Sequence, residues 1–207
     1  MISEHEKNND AKWTKRSRTY DEGRFNYFRY MQKKLISKID LHENINFLDI
    51  GCGTGWAVLY VAKMLNGKGN FIGIDIANGM IEIAQRKAIV IPNVKFIQAS
   101  SEKLPIENDY IHNIICTNSF HHYQNPEIVM TEIYRVLKEG GRISILDVTS
   151  DDFIISSIDK KVRKKEKEHV RFYSTVEYQK MFISVGLKTI SSNYLIYPMK
   201  IHIAEKA

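Results

Sequence analysis

The stretch Phe47–Tyr60, FLDIGCGTGWAVLY, decides the fold of this chain. Its apolar run breaks at Asp49, passes glycines at 51, 53 and 55, and resumes with apolar residues at helical spacing. The pattern predicts a strand ending near Asp49, a tight turn over Gly51-Cys52-Gly53-Thr54-Gly55 and a helix opening at about Trp56. Such a turn holds unpaired backbone N–H groups and a positive helix end at the carboxyl edge of a parallel sheet, where an anionic or nucleoside ligand is favoured. Glycine at 51 and 53 lets a ligand approach the backbone closely and gives the turn access to positive φ.

From Ile45 onward, short β-branched runs alternate with longer helical patterns, the rhythm of a parallel sheet with crossover helices. Strands are predicted at Ile45–Ile50, Asn70–Asp75, Val94–Gln98, Ile111–Thr117 and Arg142–Asp147. Asn78 is placed to cap the helix after the second strand. Asn125 and Pro126 open another, which runs to a glycine C-cap at Gly140-Gly141. Ser174-Thr-Val-Glu177 has capping-box spacing ahead of a helix to about Val185. Beyond Gly186, two strands broken near Tyr197-Pro198 leave no room for a crossover and are expected to pair antiparallel. Upstream, a polar leader precedes an amphipathic helix in which Phe25, Phe28, Leu35, Ile36 and Ile39 recur at roughly helical spacing.

At 207 residues, 43% hydrophobic and 26% charged, the chain has ordinary globular composition and is long enough to bury one core. Its net charge of +6 comes largely from two local stretches, one of them KKVRKKEKEHV, Lys160 to Val170, so nucleic acid is not the partner expected. Cys52 and Cys116 form no C-x-x-C pair, and no histidines cluster at ligand spacing, so no disulfide framework and no metal site is expected. MISEHEKNNDAKWTKRSR carries no apolar export core, and no apolar run approaches the ~18 residues of a membrane span, so a cytoplasmic protein is expected.

A dinucleotide fingerprint needs a glycine where this chain has Trp56, which makes an NAD-type ligand the weaker alternative. The run LDIGCGTG instead resembles motif I of the class I S-adenosylmethionine-dependent methyltransferases. NFIGIDIANGMIEIAQRKA is similar to that family's second strand and helix. The run IQASSEKLPIENDYIHNIICTNSFHHYQNPEIVMTEIYRVLKEGGRISILD, Ile97 to Asp147, resembles its small-molecule branch, which includes ubiquinone and menaquinone biosynthesis methyltransferases. The likeness implies a Rossmann-like, doubly wound, seven-stranded and mostly parallel α/β sheet, with an antiparallel C-terminal strand and an N-terminal helical lid. Its parts would be a lid over 1–44, a cofactor-binding core over 45–149, a variable lid over 150–173, and a C-terminal helix and strand pair over 174–207.

The resemblance also implies roles for single residues. Gly51, Cys52, Gly53 and Gly55 would form the cofactor loop, with Asp49 beside the methionyl ammonium. Asp75 would take the ribose hydroxyls, and Ile76 and Met80 would wall the adenine slot. Ser100 stands where the family has an aspartate for the adenine amino group, so restoring that aspartate is expected to keep or tighten binding. The Ser101 N–H and the Asn118 backbone would assist, and Tyr20 of a Tyr20-Asp21 pair would close on the cofactor.

A sulfonium is an activated methyl donor, so transfer to an O, N or C nucleophile of a small molecule needs alignment more than protein covalent chemistry. No catalytic residue is assigned. His121, His122, His169 and Tyr173 are the candidates for the acceptor pocket, since a histidine can serve as base near neutral pH. Trp13–Tyr30 and Asp151–Tyr173 are expected to cover that pocket. The Lys160–Lys167 run reads first as a solvated helix face, with an acidic substrate, lipid headgroups or nucleic acid as alternatives. A non-catalytic S-adenosylmethionine sensor is the competing function; aminopropyl transfer ranks below it, for want of paired acidic residues to hold a polyamine.

Overall fold

The computed structural model describes residues 3–22 and 25–207, apart from the side chains of 25 and 26. The side chain of Phe25, expected on the packed face of a helix, and residues 1, 2, 23 and 24 of the expected lid lie outside what is described. The chain runs α1 (Glu4–Ser17), α2 (Phe25–Ile36), β1 (Ile45–Ile50), α3 (Trp56–Met64), β2 (Gly69–Asp75), α4 (Asn78–Ala88), β3 (Val94–Gln98) and β4 (Ile111–Thr117). It continues through α5 (Pro126–Val136), β5 (Leu137–Val148), α6 (Phe153–Lys165), α7 (Thr175–Ser184), β6 (Leu187–Ile196) and β7 (Met199–Lys206).

The seven strands form one sheet in the order β3-β2-β1-β4-β5-β7-β6. The first five are parallel, β7 runs antiparallel to β5, and β6 runs antiparallel to β7. All six residues of β1 are buried because helices cover both faces of the sheet. Alternation along the strands divides the core: Phe47, Phe71 and Ile115 pack under α2, α3 and α4. Leu48, Ile72 and Ile114 pack under α5 and α7. Strand order reverses between β1 and β4, and a crevice opens at their carboxyl ends.

Two expected boundaries differ, and one expected cap bond is absent. Asn78 does not cap α4; Ala77 holds that position without a side-chain bond. The Asn78 N–H donates to Asp10 Oδ1 and the Gly79 N–H to Thr14 Oγ1, so α1 caps α4 from outside. Asn125 holds the N-cap position of α5 ahead of Pro126, as expected, but its side chain accepts no helix N–H, and its amide donates to Glu102 instead. That helix stops at Val136, ahead of Gly140-Gly141, because Leu137 turns extended and pairs with Ile111. The Lys206 ammonium takes the freed Tyr134 and Leu137 carbonyls.

Candidate active site

A cleft of about 790 Å³, open solvent at its mouth included, lies where the strand order reverses. Of the expected site residues, Tyr20, Gly51, Gly53, Asp75, Ile76, Met80, Ser101, Asn118 and His122 line it. The Asp75 carboxylate accepts the Gly53 N–H at 2.8 Å and the Ala77 N–H at 2.9 Å, tying the glycine turn to the end of β2. Gly51 sits at φ +76°, where a Cβ would lie 2.1 Å from Ser119 Oγ. Gly55, at φ +80°, would set a Cβ 2.4 Å from the Phe96 ring. Gly55 therefore permits close packing beneath the turn, while the Trp56 indole stacks on Tyr60 at 4.9 Å, outside the cleft. Cys52 is buried beside the turn, its thiol pushed up by burial and by Asp75.

Charge in the cleft runs against the charge of the chain. Asp49 does not line the cleft: it is 0% exposed, two residues before Gly51, and among the described residues neither of its carboxylate oxygens has a hydrogen-bond partner. Burial, with Asp75 nearby, pushes its carboxyl up to about 8. Burial also raises Asp75, against the pull of its two backbone donors, and raises the Tyr20 phenol. No Lys or Arg is among the described residues that line the cleft, although the chain carries a net charge of +6. An uncompensated buried carboxylate is costly, and an opposite charge placed beside it relieves that cost.

The cover comes from α1, which composition gave as polar leader. Its Ser3–Glu6 capping box is legible in the sequence and was the available signal. His5, Glu6, Asn9 and Trp13 line the cleft from this helix. The Ser100 hydroxyl donates to the Glu6 carboxylate, so a carboxylate arrives from α1 beside the position where the resemblance predicted one in the chain. Asn9 is 6% exposed and its Oδ1 has no partner among the described residues. Lys12 pairs with Glu166 at 2.9 Å and Glu168 at 2.8 Å, fastening α1 to the segment after α6. Asp21 accepts from Thr54 Oγ1, Arg29 and Lys87, which anchors the end of this segment to the glycine turn.

Of the four acceptor-pocket candidates, His122 alone lines the cleft. Its Nδ1–H donates to the Glu168 carbonyl at 2.8 Å, which leaves Nε2 as the bare ring nitrogen of the neutral form. Burial and the neighbouring His121 hold its pKa well below the usual imidazole value. His121 is fixed by Asp147 at 2.8 Å, with its ring 4.1 Å from that of His122. His169 is buried against Asp159, and Tyr173 packs in the core on Phe120 and Tyr178; neither lines the cleft.

Residues 41–195 match a family described as "Methyltransferase domain". The chain is 31% identical over 169 residues to the uncharacterized methyltransferase YcgJ of Bacillus subtilis, covering 79% of this chain and 62% of the relative. It is 27% identical over 185 residues to the ubiquinone/menaquinone biosynthesis C-methyltransferase UbiE of Wigglesworthia glossinidia brevipalpis, covering 88% of this chain and 70% of that one. The chain thus spans less than two thirds of the Bacillus relative's length. A SAM-dependent methyltransferase from Aquifex aeolicus shares the fold, with a TM-score of 0.75 at 21% identity over 94% of this chain and 98% of that one. With family match and fold in agreement, the chain belongs to the methyltransferase domain family and shares the seven-stranded fold of the Aquifex protein.

Proposed function

We propose that this protein transfers a methyl group from S-adenosylmethionine to a small-molecule acceptor in the cleft between the Gly51–Gly55 turn and α1. One observation carries the reading: Asp49, buried behind the glycine turn, has no partner among the described residues, and no described Lys or Arg lines the cleft, which suits a cationic nucleoside and opposes a pyrophosphate. The cofactor, when bound, supplies an activated methyl on a sulfonium. Asp49 would hold the α-ammonium, and the remaining lone pairs of Asp75 would take ribose hydroxyls. Ile76 and Met80 would flank the adenine, with Asn9 Oδ1 and Glu6 as acceptors for its amino group. The bare Nε2 of His122 would take a proton from an acceptor that loses one. The relative named as a quinone-biosynthesis C-methyltransferase favours a phenol or enol as that acceptor.

Titration calorimetry tests the cofactor: S-adenosylmethionine and S-adenosylhomocysteine should bind and NAD should not, and tight NAD binding with neither of the others overturns the reading. Label transfer from a methyl-labelled cofactor to a panel of phenols and quinols should exceed one turnover; a ligand held without any transfer would favour the sensor. His122→Asn should keep cofactor affinity and slow transfer by about a hundredfold or more. An unchanged rate removes His122 from the chemistry.

A further inference from the structure

The basic run after β5 falls on α6, and its surroundings separate it from an ordinary solvated helix. Ile155 and Asp159 are buried against the protein, while Lys160, Lys161, Arg163, Lys164 and Lys165 are exposed. Nearby cations are held: Lys12 by Glu166 and Glu168, Arg171 by Glu177, and Lys200 by Asp151. Among the described residues, no carboxylate pairs with the five cations of α6. The same face begins with Phe153, 84% exposed, and Ile154, 64% exposed. Spacings of seven and eleven residues align Phe153 with Lys160 and Lys164, and Ile154 with Lys161 and Lys165. The Tyr197 hydroxyl donates to Asp152, the N-cap of α6, and so brings the exposed Tyr197 of the β6–β7 turn beside that first turn, next in sequence to the exposed Ile196 at the end of β6.

We propose that this face docks the protein on an anionic lipid bilayer, with Phe153, Ile154 and Tyr197 in the acyl boundary and the cations of α6 among the headgroups. Charge complementarity selects that occupant. A nucleic acid would neutralise the cations but leave the aromatic and aliphatic side chains in water. A second copy packed on the same patch would oppose like charges across the two-fold axis. A bilayer satisfies both halves of the face. The docked face adjoins the cleft, because Glu166 follows Lys165 directly and holds Lys12 of α1, while Glu168 holds His122 through its carbonyl. That a lipid-dissolved acceptor would enter there rests on the methyl-transfer reading; the docking does not.

Vesicle flotation of the full chain separates the two. The protein should float with phosphatidylcholine vesicles containing about 30% phosphatidylglycerol, not with phosphatidylcholine alone, and should be released by salt. Lys160→Glu combined with Lys164→Glu should lower partitioning at least about tenfold, since each cation near such a surface is worth about fivefold. Phe153→Ser should lower it by about tenfold through lost burial. All three positions are exposed, so folding is not at stake. No flotation of the wild type, or equal flotation of the variants, overturns the proposal. So does duplex nucleic-acid binding without vesicle binding, or a dimer in light scattering that Phe153→Ser dissolves.

Discussion

At the floor of the cleft, the glycine turn, Asp75 and the Asp49 buried behind the turn come from one β-α-β unit, and the pairing of Asp49 with Gly73 and Ile50 with Ile74 sets their spacing. On the cover, Glu6 reaches Ser100, His5 donates to the His122 carbonyl, and Lys12 reaches Glu166, across 94, 117 and 154 positions of chain. The floor is held by backbone ladders between buried strands. The cover is held by half-exposed polar side chains, each worth no more than about 1 kcal/mol. Local opening therefore begins at the cover, and ligand contacts there are made and lost while the floor stays fixed.

The largest effect expected is on the floor. Gly55→Ala combines a strained positive φ with a Cβ 2.4 Å from the Phe96 ring, and should lower unfolding stability by about 2–4 kcal/mol in urea titrations. Gly53→Ala, whose Cβ would stand 3.5 Å from Tyr20, should lose only about 1 kcal/mol from its backbone. Equal losses would mean that packing does not distinguish the two glycines.

Asp49 is next. Its folded carboxyl lies at about 8, above the unfolded value of 3.8, so the apo protein holds a proton that the unfolded chain has released. Its contribution to stability is thus complete at acid pH and is lost as pH rises through 8. A bound cation needs the ionised form, so cofactor affinity should climb by up to about tenfold per pH unit and level off above pH 8. Asp49→Asn should flatten that slope and weaken binding at pH 8 by about ten- to a hundredfold. A retained slope would assign the titration elsewhere.

Effects at the cover should be smaller. Ser100→Asp, expected from resemblance to keep or tighten binding, sets a second carboxylate against Glu6 and should weaken cofactor binding by about fivefold; adding Glu6→Gln should restore it. Tighter binding in the single variant would show that Glu6 leaves Ser100 when ligand enters. Lys12→Met, which breaks both ion pairs, should cost about threefold in affinity and speed amide exchange over residues 4–17.

This difference also decides what the sequence could tell. The strand ends and the glycine turn were legible because strand period and turn chemistry are local. Seven strands could be expected, but not that β7 would lie between β5 and β6. Asn78 read as a cap because its own segment shows no competitor; Asp10 and Thr14 arrive from a helix far upstream. The end of α5 was placed at the glycines because the ammonium that takes its last carbonyls belongs to Lys206. The start of the chain read only as a polar leader; the Ser3-x-x-Glu6 spacing was there to mark α1, but nothing in the pattern said which strand edge that helix would cross, so Glu6 and Asn9 were invisible as cleft residues.

The capping of α4 by α1 carries a consequence for α4 itself. When α1 lifts, the Asn78 and Gly79 N–H groups lose Asp10 and Thr14 and face water at a positive helix end. Losing both partners leaves the first turn of α4 uncapped, so any change that detaches α1 should also fray the start of the helix that carries Met80.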